Sequence, residues 1–262
     1  MEDMKRVMEV AVRAAKEAGE YAVRSIGDKR EIAYKGGHNN LVTDVDKKCE
    51  QIIVDMVKRE FPENSILAEE SGAHAAGGAF NWIIDPIDGT TNYAHAFPVF
   101  CVSIGIAAGS SVKAGVVYDP SRDELFRAEE GKGAYLNDKR ISVSDIGAVR
   151  DSLIATGFSY DREKRISNIA HFTAMLEHAQ AVRRPGSAAI DLCYIACGRF
   201  DGYWEFGLSP WDMAAAQLIV KEAGGTITML KGRPFDIFQK EIVATNTKIH
   251  AEMLDLLGEN IN

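Results

Sequence analysis

The segment Trp82-Ile-Ile-Asp-Pro-Ile-Asp-Gly-Thr-Thr-Asn92 carries the sharpest chemical signal in the chain. An apolar run delivers Asp85, Pro86 turns the chain, and Asp88 follows ahead of Gly89, Thr90 and Thr91. Two carboxylates leaving one strand end can share hard cations, because Mg²⁺ prefers oxygen ligands in octahedral geometry. The bend also exposes the Ile87 carbonyl as a further oxygen, while Gly89, Thr90 and Thr91 can offer N–H groups and hydroxyls to a phosphate. Asp, Pro and Gly are the commonest turn residues, so a bare Asp-x-x-Asp-Gly reads more readily as a strand-to-turn junction. The full segment sets that reading aside.

Other acids gain meaning only beside this loop. Glu69 and Glu70 end a second short apolar run, Ser65-Ile-Leu-Ala68; alone they read as a solvated turn, and next to Asp85 and Asp88 as further ligands. Thr43-x-x-Asp46 and Ser209-Pro-Trp-Asp212 each resemble a capping box, in which the acid reaches back to the helix cap. That structural role suffices for either acid, yet a capped helix start also aims its acid rigidly, as a metal site requires. Glu205 lies in Tyr-Trp-Glu-Phe and reads as an outward-facing strand position. Arg183 and Arg184, ahead of Pro185-Gly186-Ser187, read as exposed or interface arginines before phosphate contacts. The six histidines, His95 among them, show no HxxxH spacing, which argues against zinc.

The elements that must position these groups follow from periodicity. Val7, Ala11, Ala14, Ala15, Ala18 and Ala22 predict an amphipathic helix over about 3–25. Val45, Cys49, Ile52, Ile53, Met56 and Val57 predict another, starting after Thr43 and ending before Pro62. Lys35 to Asn40 reads as a loop between them. Trp82–Asp85 reads as a short strand stopped by Pro86. From Phe100 to Val143, β-branched runs alternate with turn signals, as in an antiparallel meander. Beyond about residue 145 strands and helices alternate: strands near Leu153–Ala155, Ala181–Arg184, Gly202–Phe206 and Thr226–Met229, helices near 162–179, Ser187–Cys197 and Pro210–Ala223. The expectation is an α+β metal-binding half over 1–145 and an α/β half over 146–262 that completes the site.

With 262 residues, 46% of them apolar and 26% charged, the chain can bury a sizeable core. Its 30 basic and 38 acidic residues give a formal charge of −8 and argue against broad binding to nucleic acid or anionic membrane. A small anionic substrate stays compatible, since bound cations invert the local field. No secretory signal or transmembrane stretch is visible. The four cysteines lack CxxC spacing and read as reduced packing residues. A cytoplasmic location is the default expectation.

Taken together and in order, these motifs resemble the inositol monophosphatase family, especially its bacterial members. The resemblance rests on Leu41-Val-Thr-Asp-Val-Asp46, Ala68-Glu-Glu-Ser71, Trp82–Asn92, Gly186-Ser-Ala-Ala189, Trp211-Asp-Met-Ala214 and the following Glu-Ala-Gly-Gly225. It implies a layered αβαβα sandwich of the sugar-phosphatase type, usually a homodimer, with lithium-sensitive, Mg²⁺-dependent hydrolysis of a sugar or polyol phosphate. Two or three Mg²⁺ ions, or Mn²⁺, are implied for each site. Glu69, Asp85 and the Ile87 carbonyl would hold the first ion; Asp85, Asp88 and Asp212 the second. A third would sit near Glu69 and Glu70, where the nucleophilic water arises. Thr90, hydrogen-bonded to Asp46, would orient and deprotonate that water. Gly89 and Thr90 backbone groups, with Thr91, would meet the phosphate. Asp88, Glu205, Asp212 and the Gly186-Ser187-Ala188 turn would meet the substrate, and Lys35 matches a lysine of the family's mobile loop. Pro185 and the short Gly72–Gly78 loop depart from the pattern and bear on substrate choice.

Fructose-1,6-bisphosphatase, histidinol-phosphatase and nucleotide bisphosphatase activities reuse the same core within the family. Thr90-Thr91-Asn92 after Asp-Gly looks more like inositol phosphatases than nucleotidases. An aspartyl-phosphate phosphatase usually wants Asp-x-Asp, whereas Asp85 and Asp88 stand three apart. A regulatory binding protein with a vestigial site is the non-enzymatic alternative, against which the intact acid set argues.

Overall fold

A computed structural model of the chain describes residues 3–27, 32–34 and 41–258, with side chains given outside 32–34 and Leu41. Lys35 and its loop lie outside the described residues. In chain order the elements begin with helix α1 (Met4–Arg24), strands β1 (Ile32–Tyr34) and β2 (Leu41–Thr43), and helix α2 (Asp44–Glu60). Strands β3 (Ser65–Ala68), β4 (Gly72–His74) and β5 (Asn81–Asp88) lead into the short helix α3 (Thr90–Ala94). The meander is β6 (Cys101–Ala108), β7 (Ser111–Asp119), β8 (Glu124–Glu129), β9 (Ala134–Leu136) and β10 (Lys139–Ile141). The second half comprises β11 (Leu153–Thr156), α4 (Arg162–His178), β12 (Ala181–Arg183), α5 (Ala188–Ala196) and β13 (Gly202–Phe206). It closes with α6 (Pro210–Glu222), β14 (Thr226–Thr228), β15 (Glu241–Thr245) and α7 (His250–Gly258).

β1 and β2 form a small antiparallel ribbon, and the other strands form two sheets. The larger has the order β10-β9-β8-β7-β6-β5-β3-β4 and is antiparallel except where β3 runs parallel to β5. The smaller has the order β12-β11-β13-β15-β14; β11 runs parallel to β12 and β13, while β15 is antiparallel to β13 and β14.

Side-chain alternation sends each strand into two different cores. In β5, Trp82 and Ile84 join the cluster formed with α1 and α2, whereas Ile83 faces α5 and α6. In β13, Tyr203 joins that same middle cluster and Trp204 faces α4 and α7. The three cores therefore separate five layers, helix–sheet–helix–sheet–helix, as the resemblance implied. Because both faces of the central strands are covered, their sequences are nearly continuous apolar runs. The middle layer fits closely because Gly105 and Gly115 lack side chains. A Cβ on Gly115 would lie 2.4 Å from the Ala215 carbonyl oxygen, and one on Gly105 would lie 2.7 Å from the Ala214 Cβ. Helix α6 thereby lies against β6 and β7.

Two expectations need correction. Pro86 does not stop the strand: β5 runs on to Asp88. The ladder pairs Asp85 with Ser103 and Asp88 with Cys101, so Pro86 and Ile87 oppose a single residue. Such a bulge accommodates a residue that has no N–H to donate. The stretch Gly72–Gly78 is not all loop, since Gly72–His74 pairs with β3 as an edge strand. Periodicity had also left β15 and α7 unassigned.

Candidate active site

A cavity of about 450 Å³ opens between the two sheets. Strand ends supply Glu69 after β3, Asp85, Ile87 and Asp88 in β5, Gly157 after β11, and Glu205 in β13. Helix starts supply Gly89 and Thr90 at α3, Gly186, Ser187 and Ala188 at α5, and Asp212 at α6. The amino ends of α5 and α6 favour negative charge nearby.

Each acid is held by a local device. Asp85 Oδ1 accepts the Ile87 N–H at 3.0 Å across the bulge, and Asp85 lines the cavity. Asp88 Oδ2 accepts the Ser187 hydroxyl and the Ala189 N–H, both at 2.7 Å, and so anchors on the start of α5. Asp212 Oδ2 accepts the Ser209 N–H at 2.7 Å, the carboxylate half of the expected capping box. Gly89 has φ +102°, and a Cβ there would lie 2.9 Å from the Val99 carbonyl oxygen. Only glycine tolerates that combination.

Asp46 makes both contacts that its position allows. Its Oδ2 accepts the Thr43 N–H at 2.9 Å and also the Thr43 hydroxyl, closing the start of α2. Its Oδ1 accepts the Thr90 hydroxyl at 2.9 Å, from the opposite side. Thr90 also lies 3.1 Å from the Ile87 carbonyl, the longer of its two contacts. Asp46 is buried and reaches the cavity only through Thr90, which lines it.

The electrostatics of the floor are unfavourable for bare carboxylates. Burial, then Glu69, Asp88 and Asp212, hold the Asp85 carboxyl well above the usual range. Burial, then Asp88 and Glu69, do the same for Asp212. Asp88 is pushed up to about 6 by burial, against the hydrogen bonds from Ser187 and Ala189. The charges acting most strongly on these groups are those of their fellow acids, an arrangement that a multivalent cation relieves. Every inward donor in this set is an oxygen, which suits a hard cation such as Mg²⁺ or Mn²⁺. Among the described residues no three His, Cys, Asp or Glu side chains already stand in a metal-holding arrangement. The fit is therefore one of donor chemistry rather than of finished geometry.

Glu205 does not face outward as its local sequence suggested. It shares the Tyr203 side of β13, accepts a hydrogen bond from the Tyr203 hydroxyl, and lines the cavity. Burial pushes its carboxyl up to about 7, against the Tyr203 hydrogen bond and the Arg184 charge. Gly157 makes room for it, since a Cβ there would fall 2.0 Å from Glu205 Oε2. Arg184 also lines the cavity, whereas Arg183 does not. Glu70 and Thr91 are likewise absent from the wall.

Three contributors escaped the sequence reading. Glu50, buried in α2, accepts the N–H groups of Glu70 and Ser71 at 2.7 and 2.8 Å and fixes the turn carrying Glu69. Its signal was the i,i+4 spacing from Asp46, which puts both acids on one helix face. Asn92 donates to the carbonyls of Val99 at 2.8 Å and Pro185 at 2.9 Å, tying the β5–β6 connection to the loop before α5. Asp191, a buried acid in the apolar run of α5, is the third.

Known proteins resemble this chain in sequence and in fold. The chain is 46% identical over 258 residues to an inositol-1-monophosphatase from Synechocystis, covering 98% of this chain and 90% of that one. It is 40% identical over 262 residues to the Nus factor SuhB of Vibrio cholerae, covering 99% and 98%. The crystal structure of the extragenic suppressor protein suhB from Bartonella henselae superposes with a TM-score of 0.94 at 39% identity, covering 98% of this chain and all of that one. Residues 3–261 match the inositol monophosphatase family throughout. By its sequence and by its layered fold, the chain belongs to the inositol monophosphatase family.

Proposed function

We propose that this phosphatase hydrolyses the phosphomonoester of a cyclitol, inositol monophosphate first, in a Mg²⁺-dependent reaction. The observation that carries the proposal is the placement of Thr90, bonded to buried Asp46, beside Glu69, Asp85, Asp88 and Asp212 in one cavity. Glu69, Asp85 and the Ile87 carbonyl would hold one cation, and Asp85, Asp88 and Asp212 another; Glu70 would assist a third beside Glu69. Bound there, such ions lower the pKa of water and stabilise the attacking and leaving oxygens of an in-line displacement.

The chain's own groups do the rest. Asp46 accepts the Thr90 proton, so that the Thr90 oxygen presents a lone pair to the attacking water and orients it. The Gly89 and Thr90 backbone receives the phosphate at the turn after β5. Asp88, Glu205 and the Gly186-Ser187-Ala188 turn meet the ring hydroxyls.

The test is phosphate release from inositol monophosphates, fructose 1,6-bisphosphate, histidinol phosphate and nucleotide bisphosphates, each with Mg²⁺, Mn²⁺, EDTA or Li⁺. Inositol monophosphate is expected to give the highest kcat/KM, with turnover abolished by EDTA and lowered by Li⁺. Full turnover in metal-free buffer would sink the mechanism.

The same reading includes a homodimer. Ile166, Ile169 and Leu176 on α4 are 50%, 53% and 57% exposed, and their spacing sets them on one helix face. Light scattering is expected to give twice the chain mass, falling to the monomer in Ile169→Glu. Among the described residues no helix is long and apolar enough to cross a membrane.

A further inference from the structure

Asp191 is the buried cavity-wall acid that the reaction above leaves without a task. It stands in the first turn of α5, only 1% exposed, among Ala188, Ala189, Ile190 and Leu192. An acid in such a run breaks the apolar pattern, and packing gains nothing from it. The residue is nevertheless one of those lining the cavity, and its Oδ1 is buried without a hydrogen-bond partner among the described residues. An acceptor buried and unmatched is destabilising unless something else completes it.

The charged groups that act on Asp191 are Glu205, Asp88 and Arg184. Glu205 acts most strongly of the three, which sets Asp191 beside the carboxyl proposed above to meet the substrate alcohol. Glu205 fits there because Gly157 has no side chain. Two carboxyls, one from α5 and one from β13, thus share one wall, with Arg184 as their cationic neighbour. Hydroxyl groups are the natural complement of such a pair, because each can donate to a carboxyl oxygen.

We propose that Asp191 is a second alcohol-recognising carboxyl, which together with Glu205 receives hydroxyl groups of the substrate ring and so selects polyol phosphates over esters of simple alcohols. The inference rests on the phosphomonoesterase reading and adds to it a specificity-determining residue.

The experiment compares kcat/KM for inositol 1-phosphate with that for cyclohexyl phosphate, which has the ring but no free hydroxyl. It is run on the wild type, Asp191→Asn and Asp191→Leu, with a thermal melt of each. In Asp191→Leu the preference for inositol 1-phosphate is expected to fall roughly three- to tenfold, the scale of one lost hydrogen bond, and chiefly through KM. Asp191→Asn keeps an oxygen in place and is expected to retain most of the preference. The melting temperature of Asp191→Leu is expected to hold or rise, since an unmatched buried acid has been replaced by an apolar group. An unchanged preference, an equal loss on both esters, or a clear drop in melting temperature returns Asp191 to a structural role and overturns the proposal. Failure of the wild type to release phosphate from either ester is a different result, and it defeats the phosphomonoesterase reading beneath.

Discussion

The hydroxyl of Thr90 donates to Oδ1 of Asp46 at 2.9 Å, while Oδ2 of the same carboxylate closes the cap of α2 on Thr43. One side chain thus serves a helix end and a cavity residue at once. The two contacts use different oxygens, so neither weakens the other. Burial raises the Asp46 carboxyl, and the Thr43 and Thr90 hydrogen bonds pull it back toward the ionised form that accepts both.

If that pair acts as a unit, its losses are not additive. Thr90→Ala and Asp46→Asn are each expected to lower kcat, by roughly 10²- to 10⁴-fold, with the double variant little worse than the worse single. Asn caps nearly as well as Asp, so the melting temperature of Asp46→Asn should change little. Steady-state kinetics of all three variants, with melts, decide the matter. Near wild-type kcat in Asp46→Asn leaves the acid as a helix cap alone.

Glu50 holds the turn that carries Glu69 through two backbone N–H groups. Glu50→Gln keeps one acceptor and turns an NH₂ toward the other N–H. Residues that orient metal ligands typically contribute about 10- to 100-fold in metal affinity. The Mg²⁺ concentration for half-maximal activity is expected to rise by about that factor, with kcat largely recovered at saturation. An unchanged Mg²⁺ titration removes Glu50 from the site.

Glu205 predicts a pH effect with a definite sign. Its carboxyl moves from an ordinary 4.5 up to about 7 in the folded protein. The native state therefore keeps a proton that the unfolded chain gives up in that window. Unfolding releases protons there, so this contribution to stability is complete below 4.5 and is lost as pH rises through about 7. In EDTA the melting temperature should fall as pH is raised across that range, and Glu205→Gln should flatten the fall. Asp85, Asp88 and Asp212 are shifted in the same direction, so added Mg²⁺ should raise the melting temperature more at the upper end of the range. A melting temperature that rises across the window in EDTA contradicts the assignment.

Gly115→Ala tests how α6 carries Asp212. The added Cβ meets the Ala215 carbonyl oxygen at 2.4 Å, so the helix must move. Overpacking of this kind costs about 1–3 kcal/mol, and the Mg²⁺ requirement should rise with it. Gly147→Ala, with open space around its Cβ, is the control expected to be silent in melts and Mg²⁺ titration.

Much of the fold was legible because its elements announce themselves locally. The ends of α1 and α2 follow from caps and apolar spacing, and the meander from β-branched runs between turns. The cavity floor was legible for a related reason: Asp85, Ile87, Asp88, Gly89 and Thr90 are consecutive enough that one bulge and one helix start place them together. Strand β15 and helix α7 were missed, since their short apolar segments find their places only against β13 and β14 and, for α7, against α4.

From sequence alone came the oxygen-rich donor set, the two helix starts that aim Asp46 and Asp212, and membership in a phosphatase family. Each rests on neighbours within a few residues or on motifs in fixed order. Only the tertiary structure turned Glu205 inward, brought Arg184 and Asp191 to the same wall, and set Glu50 beneath the Glu69 turn. Those placements depend on how β11, β13 and α5 meet at the cavity and on how α2 packs beneath the turn after β3. A side chain's face on its own strand or helix can be read from spacing, but what stands opposite that face is decided by residues on other elements.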